Sequence, residues 1–190
     1  MPPALILING LYAAGKTTLS HWLAEELRAP LFSKDQFKER LYELDPPLDR
    51  DHSRRLGITA YDLAFAAVES VLAAGQIAIL EGPLRPEFEQ DRVDAIVTRH
   101  AAAPIQLFLD ADRDLLVQRY LARRGEEGRH PAHQVGFDEA ALVAAIHEGW
   151  SPLELAHTLT VETTDFGVVD RPFILDWVRG RLATASGAPL

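Results

Sequence analysis

The chain has 190 residues, 47% of them hydrophobic and 25% charged, and a formal net charge of −9. That size and composition predict one globular domain, 1–190, with a sizeable core, and the acidic balance argues against a general nucleic-acid surface while leaving room for a local basic pocket. There is no cysteine, which excludes disulfides, thiolate metal sites and cysteine nucleophiles.

Met1-Pro2-Pro3 lacks the charged start of a signal peptide, and the first apolar run is too short to span a membrane. The expectation is a soluble, cytoplasmic protein with no membrane partner. Ala4–Ile8 reads as a buried parallel strand. It leads into Gly10-Leu11-Tyr12-Ala13-Ala14-Gly15-Lys16-Thr17, and apolar residues at helical spacing follow from Thr18 to Leu27. Gly, four residues, then Gly-Lys-Thr between a strand and a helix is the phosphate-binding loop pattern. Gly10 and Gly15 permit backbone angles and close approaches that a side chain would block. The amides from Gly10 through Ala13, Ala14 and Gly15 to Thr18 can then converge on phosphate oxygens, helped by the positive end of the helix. Lys16, expected to be exposed, would reach the β- and γ-phosphates, and the Thr17 hydroxyl would hold Mg²⁺. The implied cofactors are ATP and Mg²⁺.

Helix one should end near Arg28, ahead of Pro30. Leu31–Ser33 reads as a second strand, and Asp35–Leu44 as a helix with Phe37, Leu41 and Leu44 on one face. Asp45–His52 is a predicted loop, Ser53 the cap of a long helix reaching Ala74, and Gly75 its stop. Gln76–Leu80 is the third strand, ending at Glu81-Gly82-Pro83. A helix over Pro86–His100, a strand over Ile105–Leu109 and a helix over Asp112–Arg124 follow. The stretch from Gly125 to Gly136 is polar and broken by Gly and Pro. Asp138–Trp150 is helical, Leu159–Thr163 the fifth strand, Asp170–Leu182 the last helix, and Ala183–Leu190 a frayed tail. Strands alternating with helices predict a parallel five-stranded sheet with helices on both faces. Ligands in such sheets bind beyond the carboxyl ends of the strands, which selects Asn9–Lys16, Lys34-Asp35, Glu81–Arg85, Asp110 and the segment after Thr163.

Asp35 opens a helix beside the phosphate loop. It could accept a proton from an attacking hydroxyl or hold that hydroxyl in line, or it could be a helix cap. Glu81 could accept hydrogen bonds from a polar substrate, and Arg85 could bind an anionic or carbonyl group. Arg119 and Arg123 share a helix face. With Arg124 and Arg129 they form a basic segment hinged by Gly125 and Gly128, as a lid over about 119–136 needs. An arginine delivered this way can neutralise charge on a transferred phosphoryl group. Arg119 and Arg123 are the first choices for that role, with Arg124 on the nucleotide side. His130, His133 and His147 make no defined metal set. Arg54 and Arg55 sit at the predicted helix start, where the dipole disfavours cations; they could contact substrate, or simply form a solvated helix end. Tyr61, Phe65, Trp150 and Trp177 read as packing. No strand ends in a strong Walker B pattern unless Leu107-Phe108-Leu109-Asp110 is one.

The phosphate loop, with Phe32-Ser33-Lys34-Asp35-Gln36-Phe37-Lys38 after it, resembles the compact P-loop kinases. These include polynucleotide 5′-kinase, chloramphenicol phosphotransferase, the zeta toxins and AAA_33-type ATP-binding proteins. Leu80-Glu81-Gly82-Pro83-Leu84-Arg85 resembles the zeta-toxin segment in which a strand ends in Glu-Gly before Leu-Arg. The resemblance runs from Ala4 to about Thr164. It implies a three-layer P-loop NTPase fold, Asp35 as base for the acceptor hydroxyl, and a lid. Lys38 falls where polynucleotide kinase has an arginine that contacts substrate. The implied activity is transfer of the γ-phosphoryl group of ATP to a hydroxyl of a small molecule. A nucleic-acid 5′-hydroxyl kinase and a non-catalytic ATP-binding switch stay open as alternatives. The acceptor, the preference between ATP and GTP, and the oligomeric state are not legible.

Overall fold

The computed structural model describes residues 2–124, 130–135 and 138–185. In chain order these form β1 (Ala4–Gly10), α1 (Lys16–Leu27), β2 (Leu31–Ser33), α2 (Lys34–Leu44), α3 (Arg50–Ala73), β3 (Ile77–Glu81), α4 (Pro86–His100), β4 (Ala103–Asp110), α5 (Arg113–Arg124), α6 (Glu139–Glu148), β5 (Thr158–Glu162) and α7 (Arg171–Ala185). The sheet is parallel throughout, in the order β2-β3-β1-β4-β5. The chain therefore crosses to one side of β1 for β2 and β3, then to the other for β4 and β5. That reversal opens a crevice at the carboxyl end of β1, where the phosphate loop begins.

Side-chain alternation along β1 divides the core. Leu5 and Leu7 point to one face, against Phe65, Val68 and Leu72 of α3 and Val93 and Ile96 of α4. Ile6 and Ile8 point to the other, against α1, α5, α6 and α7 through Leu19, Leu23, Leu116, Ile146, Ile174 and Val178. Every residue of β1 is buried, as a central parallel strand requires. Helix α3 is long and apolar enough, by length and composition, to cross a membrane. Its stripe from Leu56 through Ala60, Ala64 and Val68 to Leu72 is buried.

Several boundaries differ from expectation. Helix α3 starts at Arg50 and is capped by Asp49, whose carboxylate accepts from the His52 amide at 2.7 Å. Ser53, the expected cap, is instead buried in the helix at 4% exposure. An Asp three residues ahead of an amide outcompeted the serine for the cap. Leu44 does not share a buried face with Phe37 and Leu41; it is 81% exposed at the end of α2. Helix α6 stops at Glu148, so Trp150 follows it rather than ending it. Helix α7 continues to Ala185, so the first part of the expected tail is helical. Short 3₁₀ turns at Pro131–His133 and Phe166–Val168 were not predicted. Gly125, Gly128, Arg129 and Gly136 lie outside the described residues.

A buried polar network sets the end of β1. Asn9 Oδ1 accepts from the Gly10 amide at 2.6 Å and from the Leu84 amide at 2.9 Å. Its Nδ2 donates to Gln106 Oε1 at 3.1 Å, and Gln106 Nε2 donates to the Leu153 carbonyl and Thr158 hydroxyl, both at 3.0 Å. Asn9 thus ties the start of the phosphate loop to the turn after β3 and to the neighbouring strand. Removing it leaves two buried amides without an acceptor. Asn9→Ala is expected to lower stability by about 3 kcal/mol in urea unfolding, whereas a change below about 0.5 kcal/mol would show that water replaces the amide.

Candidate active site

The loop between β1 and α1 is built by its two glycines. Gly10 has φ +134°, and a Cβ there would lie 2.1 Å from the Leu109 carbonyl oxygen, because β4 runs directly beside it. Gly15 has φ +88°, and its Cβ would meet the Phe166 ring at 2.5 Å. Ala13 also holds a positive φ, of 60°. Gly15 caps α1 without a side-chain hydrogen bond, and the first turn of α1 carries no acidic residue. The amides of that turn have no intrahelical partner, so they offer a ready site for an anion.

Lys16 corrects one expectation: it is 8% exposed, not open at the surface. Its Nζ donates to the Gly10 and Leu11 carbonyls at 3.0 and 2.7 Å. Burial lowers its pKa, against the pull of Glu81 and Asp35; Arg123 and Lys34 add to the lowering. A buried ammonium held by two carbonyls and surrounded by further cations fits a loop made to receive phosphate. Thr17 is exposed at the same loop.

The loop forms one wall of a cavity of about 1060 Å³. Ala13, Gly15, Lys16 and Thr17 meet there with Asp35 and Lys38 from α2, Glu81 from the end of β3, Arg85 from the next turn and Arg123 from α5. Most of the expected site residues therefore converge. Arg119 stands apart: its guanidinium donates to the Thr163 and Thr164 carbonyls at 2.9 and 2.8 Å, bracing the segment after β5. Arg123, one turn on, lines the cavity. Ala14 is buried under the loop, Thr18 is exposed on α1, and Arg124 and Gly10 are not among the lining residues.

Glu81 is 4% exposed and accepts from the Ser33 hydroxyl at 2.6 Å. Burial raises its pKa, opposed by Lys16 and the Ser33 hydrogen bond. It lies opposite Ile8 in the register, at the end of the apolar run Ile77–Leu80 and beside the phosphate loop. Of the two carboxylates that follow apolar strands, Glu81 lines the cavity and Asp110 does not. Asp110 is paired with Arg113, and its backbone carbonyl accepts from Thr163. Strands β3 and β4 both flank β1, so it is the pairing of Asp110 with Arg113, and not the strand order, that separates the two.

The Asp35 side chain is half exposed and 3.1 Å from Lys34 Nζ. Its surroundings push its pKa up by desolvation, but Lys34, His133 and Lys16 outweigh this and hold it at about 2. A carboxylate whose folded pKa lies below its unfolded value stabilises the fold above the unfolded pKa, and that contribution is lost as pH falls through the folded one. The stability difference between wild type and Asp35→Asn, read by urea unfolding, is therefore expected to be constant near neutrality and to close between the ordinary aspartate value of 3.8 and about 2. A difference that persists unchanged into that window would mean that Lys34 and His133 do not hold the charge.

Several residues in or near the cavity were given no site role from sequence, or only an open one. Tyr61, read as packing, lines the cavity and donates its hydroxyl to the Pro83 carbonyl at 3.0 Å. Tyr12, Tyr120 and Phe88 also face it. Trp150 packs edge-on to Tyr12, with the Arg85 guanidinium 4.7 Å from its ring. His130 and His133 line the cavity beyond α2; His133 Nε2 is 2.7 Å from Glu39 and His130 Nε2 is 3.9 Å from Glu43. His147 lies nearest Asp114, so the three histidines serve three different carboxylates. Arg54 lines the cavity too. With α3 starting four residues earlier than expected, it sits in the second turn, where the dipole penalty has faded. Spacing carries no signal for any of these, because they reach the cavity from separate elements.

The family described as AAA domain (AAA_33) matches residues 5–143. The crystal structure of a candidate kinase from Chloroflexus aurantiacus is 37% identical, covers 95% of this chain and 99% of its own, and superposes with a TM-score of 0.88. Kti12 of Chaetomium thermophilum, solved with ADP-AlF₃, shares the fold at 16% identity, with 93% and 98% of the two chains covered and a TM-score of 0.65. A stretch of 40 residues is 52% identical to two pentafunctional AROM polypeptides of Lodderomyces elongisporus, covering 21% of this chain and only 3% of theirs.

Proposed function

The chain belongs to the AAA_33 family of AAA domains, and on that premise we propose that it is a small-molecule kinase moving the γ-phosphoryl group of ATP to a substrate hydroxyl. One observation carries this reading. The buried Lys16, the uncapped first turn of α1 and the Asp35 carboxylate all face one cavity. A nucleotide switch needs the first two. A carboxylate held ionised beside them is what an acceptor hydroxyl requires.

The residues fit Mg·ATP. Lys16 and the loop amides would hold the phosphates, Thr17 would ligate Mg²⁺, and Glu81, which accepts from Ser33, would meet the substrate from the same cavity. The bound metal would screen charge on the phosphates. Asp35 would orient the acceptor hydroxyl and take its proton as the bond to phosphorus forms. Arg123 would neutralise charge on the phosphoryl group in transit, while Arg119, spent on the Thr163 and Thr164 carbonyls, positions the wall beside the nucleotide. We take 1–190 as a single kinase domain whose lid covers about 119–136. A cavity of about 1060 Å³ suits a small molecule beside a nucleotide.

The test is phosphate transfer from Mg·ATP across a panel of hydroxyl-bearing metabolites and antibiotics, with hydrogen exchange read alongside. ATP consumption should rise many-fold with one chemical class. Amides between 119 and 136 should gain protection with a non-hydrolysable ATP analogue. Nucleotide binding without any acceptor-dependent turnover would favour the switch instead.

A further inference from the structure

The cavity has two ends, set by the sheet. One end is formed by the phosphate loop after β1, with Tyr120 and Arg123 of α5. The other end is walled by α2, α3 and the turn after β3, on the β2 side. That end carries four cations, Lys34, Lys38, Arg54 and Arg85, in a chain whose net charge is −9. The carboxylates that share the cavity are largely engaged. Asp35 pairs with Lys34 at 3.1 Å, Glu39 with His133 at 2.7 Å, and Glu81 with the Ser33 hydroxyl at 2.6 Å. Glu89 is the exception: burial raises its pKa, opposed by Arg92, which itself pairs with Asp62 at 2.6 Å. Arg85 is held over Trp150 and lies 3.7 Å from Glu87.

Lys38 and Arg54 are left over. Neither makes a hydrogen bond or ion pair among the described residues. Lys38 stands one helical turn after Lys34 on the same face, where like charges repel. It is half-buried, and burial with that neighbour, against the pull of Asp35, pushes it down to about 8, so it stays largely charged at neutral pH. Asp35 is a counter-charge to Lys38 without bonding to it, and Arg54 is exposed beside the cavity; two cations at this wall that no ion pair engages describe a receptor for an anion that is not the nucleotide.

We infer that the acceptor carries an oxyanion, a carboxylate or a phosphate ester, remote from its reacting hydroxyl and received by Lys38 and Arg54. The inference rests on the kinase reading above. It narrows the acceptor to acidic polyhydroxy compounds and disfavours neutral sugars and cationic antibiotics. Tyr61 and Phe88 give the same end an apolar side, which suits a compact carbon skeleton between the hydroxyl and the anion.

The test uses the full chain saturated with Mg·ADP, whose own binding is measured first. Matched pairs that differ in the anion are then titrated by calorimetry: glycerate against glycerol, gluconate against glucitol, and glucose 6-phosphate against glucose. At least one anionic member is expected to bind roughly tenfold or more tightly than its neutral partner, as charge-assisted hydrogen bonds imply. Lys38→Met should erase that difference, Lys38→Arg should keep most of it, and neither should alter the Kd for ADP. Preference for glycerate or gluconate assigns the oxyanion as a carboxylate, and preference for the sugar phosphate assigns it as a phosphate. Equal affinity within every pair, binding by no anionic member, or a difference that survives Lys38→Met would overturn the inference. Failure to bind Mg·ADP would instead strike the kinase reading itself. ATP turnover raised by neutral or cationic hydroxyl compounds would leave that reading standing and remove only this one.

Discussion

Lys16→Met is expected to cut phosphoryl transfer by roughly two to three orders of magnitude, the usual cost of losing one donor to a developing phosphate charge, and to weaken ATP binding as well. The choice of Met follows from the structure. Lys16 is buried, with its stem packed beneath the loop and its ammonium on two backbone carbonyls, so Ala would add a cavity to the loss of charge. Met fills most of the space. The effect on stability should run opposite to the effect on activity. Burial lowers the Lys16 pKa, and Arg123 and Lys34 add to this. A lysine whose folded pKa is depressed costs stability at any pH below it. Removing the charge relieves that cost while two carbonyls lose a donor, so the melting temperature should hold or rise. Functional sites commonly trade stability in this direction. A variant with wild-type turnover would remove the phosphate-loop assignment. A variant that lost both turnover and several degrees of melting temperature would show that Lys16 is mainly a structural tie.

The phosphate loop was legible because its chemistry is local. Gly10, Gly15, Lys16 and Thr17 act within one turn, and both glycines do sit at positive φ against neighbours that exclude a Cβ. The strands were legible as apolar runs, and β2 and α4 match expectation to the residue. Where a polar side chain decided the matter, the reading was less exact. Asp49 in place of Ser53 moved the start of α3 by a full turn. It also removed the reason for finding Arg54 odd, although Arg54 does line the cavity. Lys16 was expected in solvent because a loop lysine usually is, and nothing in its spacing reveals the Gly10 and Leu11 carbonyls that fold over it. Glu81 and Asp110 look alike as carboxylates after apolar strands. Both strands flank β1, so only the side chains' surroundings tell them apart: Glu81 lines the phosphate loop's cavity and Asp110 pairs with Arg113. Arg119 and Arg123 look alike as well, one turn apart on one face. The carbonyls that engage Arg119 come from Thr163 and Thr164, 44 and 45 residues away.

Asp35→Asn should separate binding from chemistry. Asn keeps the size and can still meet Lys34 through its carbonyl oxygen, so α2 should survive and the loop contacts to ATP should not change. What is lost is a carboxylate at the acceptor hydroxyl. If that carboxylate takes the proton, transfer should fall by roughly two to four orders of magnitude at unchanged ATP affinity. The pH profile then discriminates between roles. With Lys34, His133 and Lys16 around it, Asp35 titrates at about 2, so it is ionised throughout the range in which an enzyme works. Its titration should leave no acid limb in the rate near neutrality. The proton moves late, as the hydroxyl becomes acidic on bonding to phosphorus, because so weak a base cannot remove it beforehand. Bound phosphates would draw Lys16 and Lys34 toward themselves and raise Asp35, improving it as a base only once the nucleotide is in place. A carboxylate that instead helped to hold Mg²⁺ would give a variant partly restored by excess Mg²⁺. A variant with a wild-type rate per folded molecule would leave Asp35 as no more than the first acidic residue of α2. Glu81, already buried beside Lys16 with Ser33 on one oxygen, would then be the carboxylate to replace next.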